Sequence, residues 1–197
     1  FDSKSYVLGS SLKSFETAYS LFSNSEYCIG ISNGLDALTI AIKALNIGKD
    51  DEVLVPSNTF IASVLAITNS GATPIFIEPD KETYNINTGL IESKITEKTK
   101  AIMPVHLYGQ PCNMTEILSI ANNHNIYIIE DNSQSQGAKW KNMITGSMGH
   151  INAVSFYPGK NLGAFGDGGA ITTNNLELNN RSRALRNYGS IQKYEHD

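Results

Sequence analysis

The sequence predicts an α/β protein: a mostly parallel sheet sandwiched by helices. Two observations predict it. Short, almost continuously apolar runs recur along the 197 residues, and such runs suit parallel strands covered on both faces. Amphipathic stretches separate them, and that β/α alternation is the pattern of a layered α/β sheet.

The runs, in order, are YCIGI (Tyr27–Ile31), EVLVP (Glu52–Pro56), TPIFIEP (Thr73–Pro79), KAIMPV (Lys100–Val105), IYIIED (Ile126–Asp131) and NAVSF (Asn152–Phe156). GGAITT (Gly168–Thr173) reads as one more strand. In LDALTIAIKAL, Leu35, Leu38, Ile42 and Leu45 mark one helical face. TEILSIANNH reads as a helix that Thr115 can cap, with Ile117, Leu118 and Ala121 inward. LELNNRSRALRNYG reads as a last helix closing at Gly189. No repeat or linker interrupts the pattern, so residues 1–197 are expected to form a single large domain.

Composition excludes several function classes. A hydrophobic fraction of 41% and a charged fraction of 17% describe an ordinary globular chain with a real core. A net charge of −4 with no basic stripe argues against nucleic acid or an anionic membrane as partner. No run is long and apolar enough to span a bilayer. Cys28 and Cys112 are too few for a disulfide framework and read as core thiols in a reducing, cytoplasmic setting. His106, His124, His150 and His196 show no metal spacing; His106, at a strand end, reads as a hydrogen-bonded structural residue. The chain opens on Phe1 and ends on KYEHD without a helix stop, so the domain is expected to be incomplete.

In open α/β sheets, ligands bind beyond the carboxyl ends of the strands. Polar groups stand at those places here. After YCIGI, the turn SNGLDAL runs into a helix whose amides at Gly34, Leu35 and Asp36 form either an anion site or a start capped by Ser32 or Asn33. It lacks the glycine spacing of a dinucleotide site. After EVLVP, Phe60 is either core or a flat surface for a planar ring. After IYIIE, Asp131 either caps a turn or faces a buried cation, with Gln134 three residues on.

After NAVSF come Ser155, Tyr157 and Lys160, the lysine in a glycine-rich segment, SFYPGKNLGAFGDGGA, that suggests a tight, partly buried loop. A nucleotide P-loop is ruled out, because Val154 replaces the required glycine and Asn161 the required Ser/Thr. One cofactor needs this whole set. Pyridoxal 5′-phosphate wants an anion nest, a stacking face, a carboxylate to keep its ring nitrogen protonated and a lysine for its aldehyde. A lysine shielded beside a positive ring is expected to have a lowered pKa.

The stretches NGLDAL, KDDEVLVPSNTF, PVHLYGQP, the ED-x-x-Q of IIEDNSQ, SFYPGKNLGAFGDGGA and RNYGS resemble the DegT-type nucleotide-sugar aminotransferases, pyridoxal-phosphate enzymes of fold type I. The resemblance runs over nearly the whole chain and is closest to enzymes that aminate C3 of dTDP-3-keto-6-deoxyhexoses. It implies that Lys160 binds the cofactor covalently, Asp131 pairs with the ring nitrogen, Gln134 contacts the phenolic oxygen and Phe60 stacks on the ring. Ser155 and the Gly34–Leu35–Asp36 turn would hold the phosphate. Tyr157 and Lys193 would contact the sugar nucleotide. It further implies L-glutamate as amino donor, a homodimer with interfacial sites, and a small C-terminal domain beyond this chain. Lys160 argues against the related sugar dehydratases, which carry histidine there. A cofactor-binding but inactive partner protein is the rival of a different class. The run EDNSQSQG departs from the family at Asn132, Ser133 and Gln136, which puts the polarity around Asp131 in question.

Overall fold

The computed structural model describes residues 7–190 of the chain. Its strands are β1 (Tyr27–Ile31), β2 (Glu52–Pro56), β3 (Thr73–Ile77), β4 (Thr99–Ile102), β5 (Tyr127–Asp131), the two-residue pair β6 (Lys139–Trp140) and β7 (Met143–Ile144), then β8 (Ile151–Ser155) and β9 (Gly169–Thr173). The α-helices are α1 (Ser10–Ser23), α2 (Gly34–Ala44), α3 (Ile61–Asn69), α4 (Met114–His124) and α5 (Leu176–Arg186).

Seven strands form one sheet in the order β1-β9-β8-β5-β4-β2-β3, with β6 and β7 making a separate hairpin. The pairs β2–β3, β2–β4, β4–β5 and β5–β8 are parallel. Only β9 runs against its neighbours, pairing antiparallel with both β8 and β1. The expected mostly parallel sheet is therefore present, with one reversed strand that its apolar pattern does not distinguish.

Alternation along each strand feeds three apolar clusters. Ile29, Val53, Val55, Ala101, Ile129 and Ile171 face the core under α2, α3 and α5. Leu54, Ile102 and Ile128 face a second core with Ile117 and Ala121 of α4, and Cys28, Val154 and Ala170 pack with Tyr19 of α1. Because both faces are covered, even the polar residues of the central strands, Glu130, Asn152 and Thr172, are buried. β3 differs: it is an edge strand and leaves Phe76 half exposed.

One helix was not anticipated, and two local expectations are corrected. Helix α1 is not announced by the sequence, since its inward face carries Glu16 and Ser23 beside Tyr19. Thr115 does not cap α4; Asn113 does, accepting from the Glu116 amide, and the Thr115 hydroxyl accepts from the Trp140 indole. α5 ends at Arg186, and Gly189 closes the following turn through its amide on the Ala184 carbonyl.

Glu16 explains why α1 is there. The outer edge of β1 would otherwise show unpaired backbone groups. Glu16 accepts the Gly30 amide at 2.9 Å, while Arg183 and Arg186 of α5 donate to the Cys28 and Gly30 carbonyls at 3.0 and 3.1 Å and pair with Glu16. Burial pushes the Glu16 carboxyl up, but the Gly30 amide and the two guanidinium groups outweigh it and hold it below the usual carboxylate range. Burial, with Glu16 nearby, pushes the Cys28 thiol up to about 12, so it is an inert core thiol.

Candidate active site

The carboxyl ends of β5 and β8 and the helix starts after β1 and β2 surround a cleft of about 670 Å³. Gly34, Leu35, Phe60, Asp131, Gln134, Ser155, Tyr157 and Lys160 all line it. Eight of the ten residues singled out from the sequence are thus brought together. Asp36 is not among its lining, and Lys193 lies outside the described residues. A larger groove of about 1110 Å³ beside α1 is lined by Phe15, Tyr19, Asp36 and Arg186, among others, and holds neither Lys160 nor Asp131. The residues singled out for the chemistry line the smaller one.

At one end of the cleft, α2 begins where β8 ends. Asn33 caps α2 by accepting the Asp36 amide at 2.8 Å, and the Asp36 carboxylate turns back to the Ser32 hydroxyl and the Asn33 side chain. Asp36 is thereby consumed by the cap, and this corrects the three-amide nest. The Gly34 and Leu35 amides, at the first two helical positions, have no intrahelical acceptor and carry the positive end of the helix dipole. The Ser155 hydroxyl oxygen accepts the Tyr157 amide at 3.2 Å, which leaves its hydrogen to donate. Gly34 and Ser155 approach so closely that a Cβ on Gly34 would lie 2.6 Å from the Ser155 Cβ. The cradle suits a phosphate. Gly34→Ala is expected to force these elements apart and weaken pyridoxal-phosphate binding about tenfold or more, read by fluorescence titration.

Asp131 ends β5 only 5% exposed. One carboxylate oxygen accepts the Ser63 hydroxyl at 2.8 Å, the other the Ser133 amide at 3.1 Å. Gln134 accepts the Tyr108 amide on its side-chain oxygen at 2.7 Å, so its NH₂ group is the part left to donate. Phe60 is 67% exposed at the N-cap of α3, which settles one alternative: it is not core.

Lys160 is half-buried in a turn closed by its own amide on the Tyr157 carbonyl at 2.8 Å. The segment around it is more open than its composition suggests: Tyr157–Gly159 and residues 161–167 are exposed. Small residues offer little apolar area to bury, and main-chain bonds hold the turn instead. Behind it, Gln136 donates to the Ser155 carbonyl at 2.8 Å and Asn161 donates to the Gln136 carbonyl at 3.0 Å, so one family departure stitches the β5 and β8 loops together.

Sequence reasoning missed Ser63 and Glu130. Ser63 sits in a helix that reads as plain amphipathic sequence and gives no signal. Glu130 did leave one: a carboxylate inside an apolar run, on the face opposite Asp131. It is fully buried with His106, whose Nε2 lies 2.8 Å from it. Burial works against charge on His106, while Cys112 and Glu130 pull its proton affinity up. Nδ1 accepts the Cys112 amide, so the ring proton sits on Nε2, toward Glu130. The expectation of a structural histidine matches this contact. Among the described residues, no cluster of His, Cys, Asp or Glu could hold a metal ion.

The whole chain, residues 1–197, matches the model of the DegT/DnrJ/EryC1/StrS aminotransferase family. It is 45% identical over 196 residues to the dTDP-3-amino-3,4,6-trideoxy-alpha-D-glucose transaminase of Streptomyces venezuelae, covering 100% of this chain and 52% of that protein. It is 55% identical over 190 residues to the dTDP-3-amino-3,6-dideoxy-alpha-D-galactopyranose transaminase of Aneurinibacillus thermoaerophilus, covering 96% and 52%. The fold superposes on the crystal structure of S. venezuelae DesV in complex with a ketimine intermediate, with a TM-score of 0.97 and 46% identity over 100% of this chain and 53% of that one. The chain therefore spans about half the length of these relatives. Family members are pyridoxal-phosphate-dependent aminotransferases. With the motifs, sheet and full-length match in agreement, the chain belongs to the DegT/DnrJ/EryC1/StrS aminotransferase family.

Proposed function

We propose that residues 1–197 form the cofactor-binding large domain of an enzyme that transfers an amino group from L-glutamate to a dTDP-linked 3-keto-6-deoxyhexose. The observation that carries this reading is the meeting of Lys160, Asp131, Gln134 and Ser155 in one cleft, from the ends of two separate strands, β5 and β8. The names of two relatives, both dTDP-3-amino-sugar transaminases, support the substrate class.

When bound, pyridoxal phosphate supplies an aldehyde for amine exchange and a cationic ring that accepts the electron pair of a deprotonated carbon. The chain's residues do the rest. Gly34, Leu35 and Ser155 would bind the phosphate, and Phe60 would cover a ring face. Asp131 would face the protonated ring nitrogen, and the Gln134 NH₂ would donate to the phenolic oxygen. Lys160 would hold the aldehyde covalently, and its Nζ, when free, would be the group that takes a proton from the donor's α-carbon and gives one to the sugar carbon. Tyr157, exposed at the rim, and Lys193 would contact the sugar nucleotide.

A homodimer with shared sites fits the apolar surface around the cleft, where Phe60, Ile61, Tyr108 and Tyr157 are exposed. Among the described residues, no helix is long and apolar enough to cross a membrane, and both cysteines are free and buried. The proposed enzyme is cytoplasmic and supplies an amino sugar for a polysaccharide, glycoprotein or natural product, a role that the amino-sugar names of its relatives support.

The test is glutamate-dependent amination across a panel of dTDP- and UDP-linked keto sugars. Turnover of the dTDP-3-keto-6-deoxyhexoses is expected. Turnover of UDP sugars alone would overturn the nucleotide assignment. Amination of none, with cofactor bound, would overturn the reaction.

A further inference from the structure

We propose that Ser63 is a positioning residue that holds the Asp131 carboxylate aimed into the cleft. The proposal rests on the cofactor reading of the cleft and adds a residue to it. Ser63 lies in the first turn of α3 and is 1% exposed. Its hydroxyl donates to Asp131 Oδ2 at 2.8 Å. Thr59 Oγ1 stands 2.8 Å from Ser63 Oγ. A hydroxyl has one hydrogen and an ionised carboxylate only accepts. Ser63 therefore spends its hydrogen on Asp131, and Thr59 must donate to Ser63. The result is a directed chain from Thr59 through Ser63 to Asp131.

Two features give this chain a role beyond packing. With the Ser133 amide on Oδ1, both carboxylate oxygens have a donor. Donors to a buried carboxylate favour its charged form. That charge is what keeps a proton on a ring nitrogen facing it. The chain also starts beside Phe60 and ends at Asp131, so one helix start holds the ring-face residue and orients the ring-nitrogen partner together.

Ser63→Ala in the full-length protein leaves Oδ2 without its donor. Asp131 then competes better for the proton it shares with the ring nitrogen. The ring loses charge, and the nitrogen joining Lys160 to the cofactor holds its own proton more tightly. Pyridoxal-phosphate affinity is expected to fall by about tenfold to a hundredfold. The pH midpoint of the visible band of the lysine-linked cofactor is expected to move upward. Ser63→Thr, which keeps the hydroxyl, is expected to restore both. In an Asp131→Asn background, Ser63→Ala should change neither further.

Wild-type affinity and midpoint in Ser63→Ala would overturn the proposal, as would full additivity with Asp131→Asn. If Ser63→Ala does not fold, Thr59→Val gives the same reading. It removes only the upstream donor, so a smaller upward shift supports the chain and no shift overturns it. A wild-type protein that binds no pyridoxal phosphate would overturn the cofactor reading itself, a separate outcome.

Discussion

Replacing Lys160 with alanine is expected to lower amino transfer on the order of 10⁴-fold and to remove the visible absorbance of the bound cofactor. The loss should be chemical, not structural. The turn is closed by the Lys160 amide on Tyr157, the Ala164 amide on Phe156 and the Phe156 amide on Gly168, each at 2.8 Å. The Asn161 side chain ties it to Gln136. None of these bonds uses the lysine side chain. Stability should therefore change by less than about 0.5 kcal/mol. Lys160→Arg should not rescue activity, because a guanidinium stays protonated and cannot attack an aldehyde. Borohydride reduction followed by mass spectrometry is the measurement. A covalent adduct retained in Lys160→Ala would assign the cofactor to another amine.

Glu130→Ala is expected to be the most destabilising of the substitutions considered, at about 3–5 kcal/mol by urea denaturation. Glu130 is fully buried and accepts four hydrogen bonds. Two are from the Met148 and Gly149 amides, both at 2.6 Å, one is from Gly146 at 2.9 Å and one from His106 at 2.8 Å. Removing the carboxylate leaves four donors without their acceptor, those of Gly146 and His106 in buried surroundings. Glu130→Gln keeps the shape but turns an NH₂ toward backbone amides, so it should recover only part of the loss. A cost below about 1 kcal/mol for Glu130→Ala would show that water replaces the carboxylate and that the loop from Gly146 to Gly149 does not depend on it.

Much of this molecule was readable from residues alone, for physical reasons that also mark the limits. Ile29, Leu54, Ile102 and Ile128 lie in continuous apolar runs because both faces of the sheet are covered. That same continuity hides direction, which is why Gly169–Thr173 read as a strand but not as the reversed one. The cleft was legible because strand ends are where polar residues have to gather, so Asp131, Ser155 and Lys160 stood out against their neighbours. Asp36 was overread: helix starts recruit their own caps, and Asn33 took its amide. α1 was missed because its inward face mixes Glu16, which answers the hydrogen-bonding needs of β1, with the apolar contacts of Tyr19, so no clean apolar stripe shows. Ser63 had no sequence signature at all. Its importance comes from a partner 68 positions away, a relation only the folded chain displays.

Glu130 and Asp131 are adjacent in β5, so the pleat sends one toward α4 and the other toward α3. An acid that anchors and an acid that faces the cleft thus share a single register. Losing one residue upstream in that strand would exchange their sides, putting Glu130 in the buried slot of Ile129 and Asp131 in the slot of Glu130, away from the cleft. Point changes can tune either acid separately; a frame slip of one position cannot spare both. Evolution can reshape the pocket through its loops, whereas the length of this strand is closed to it.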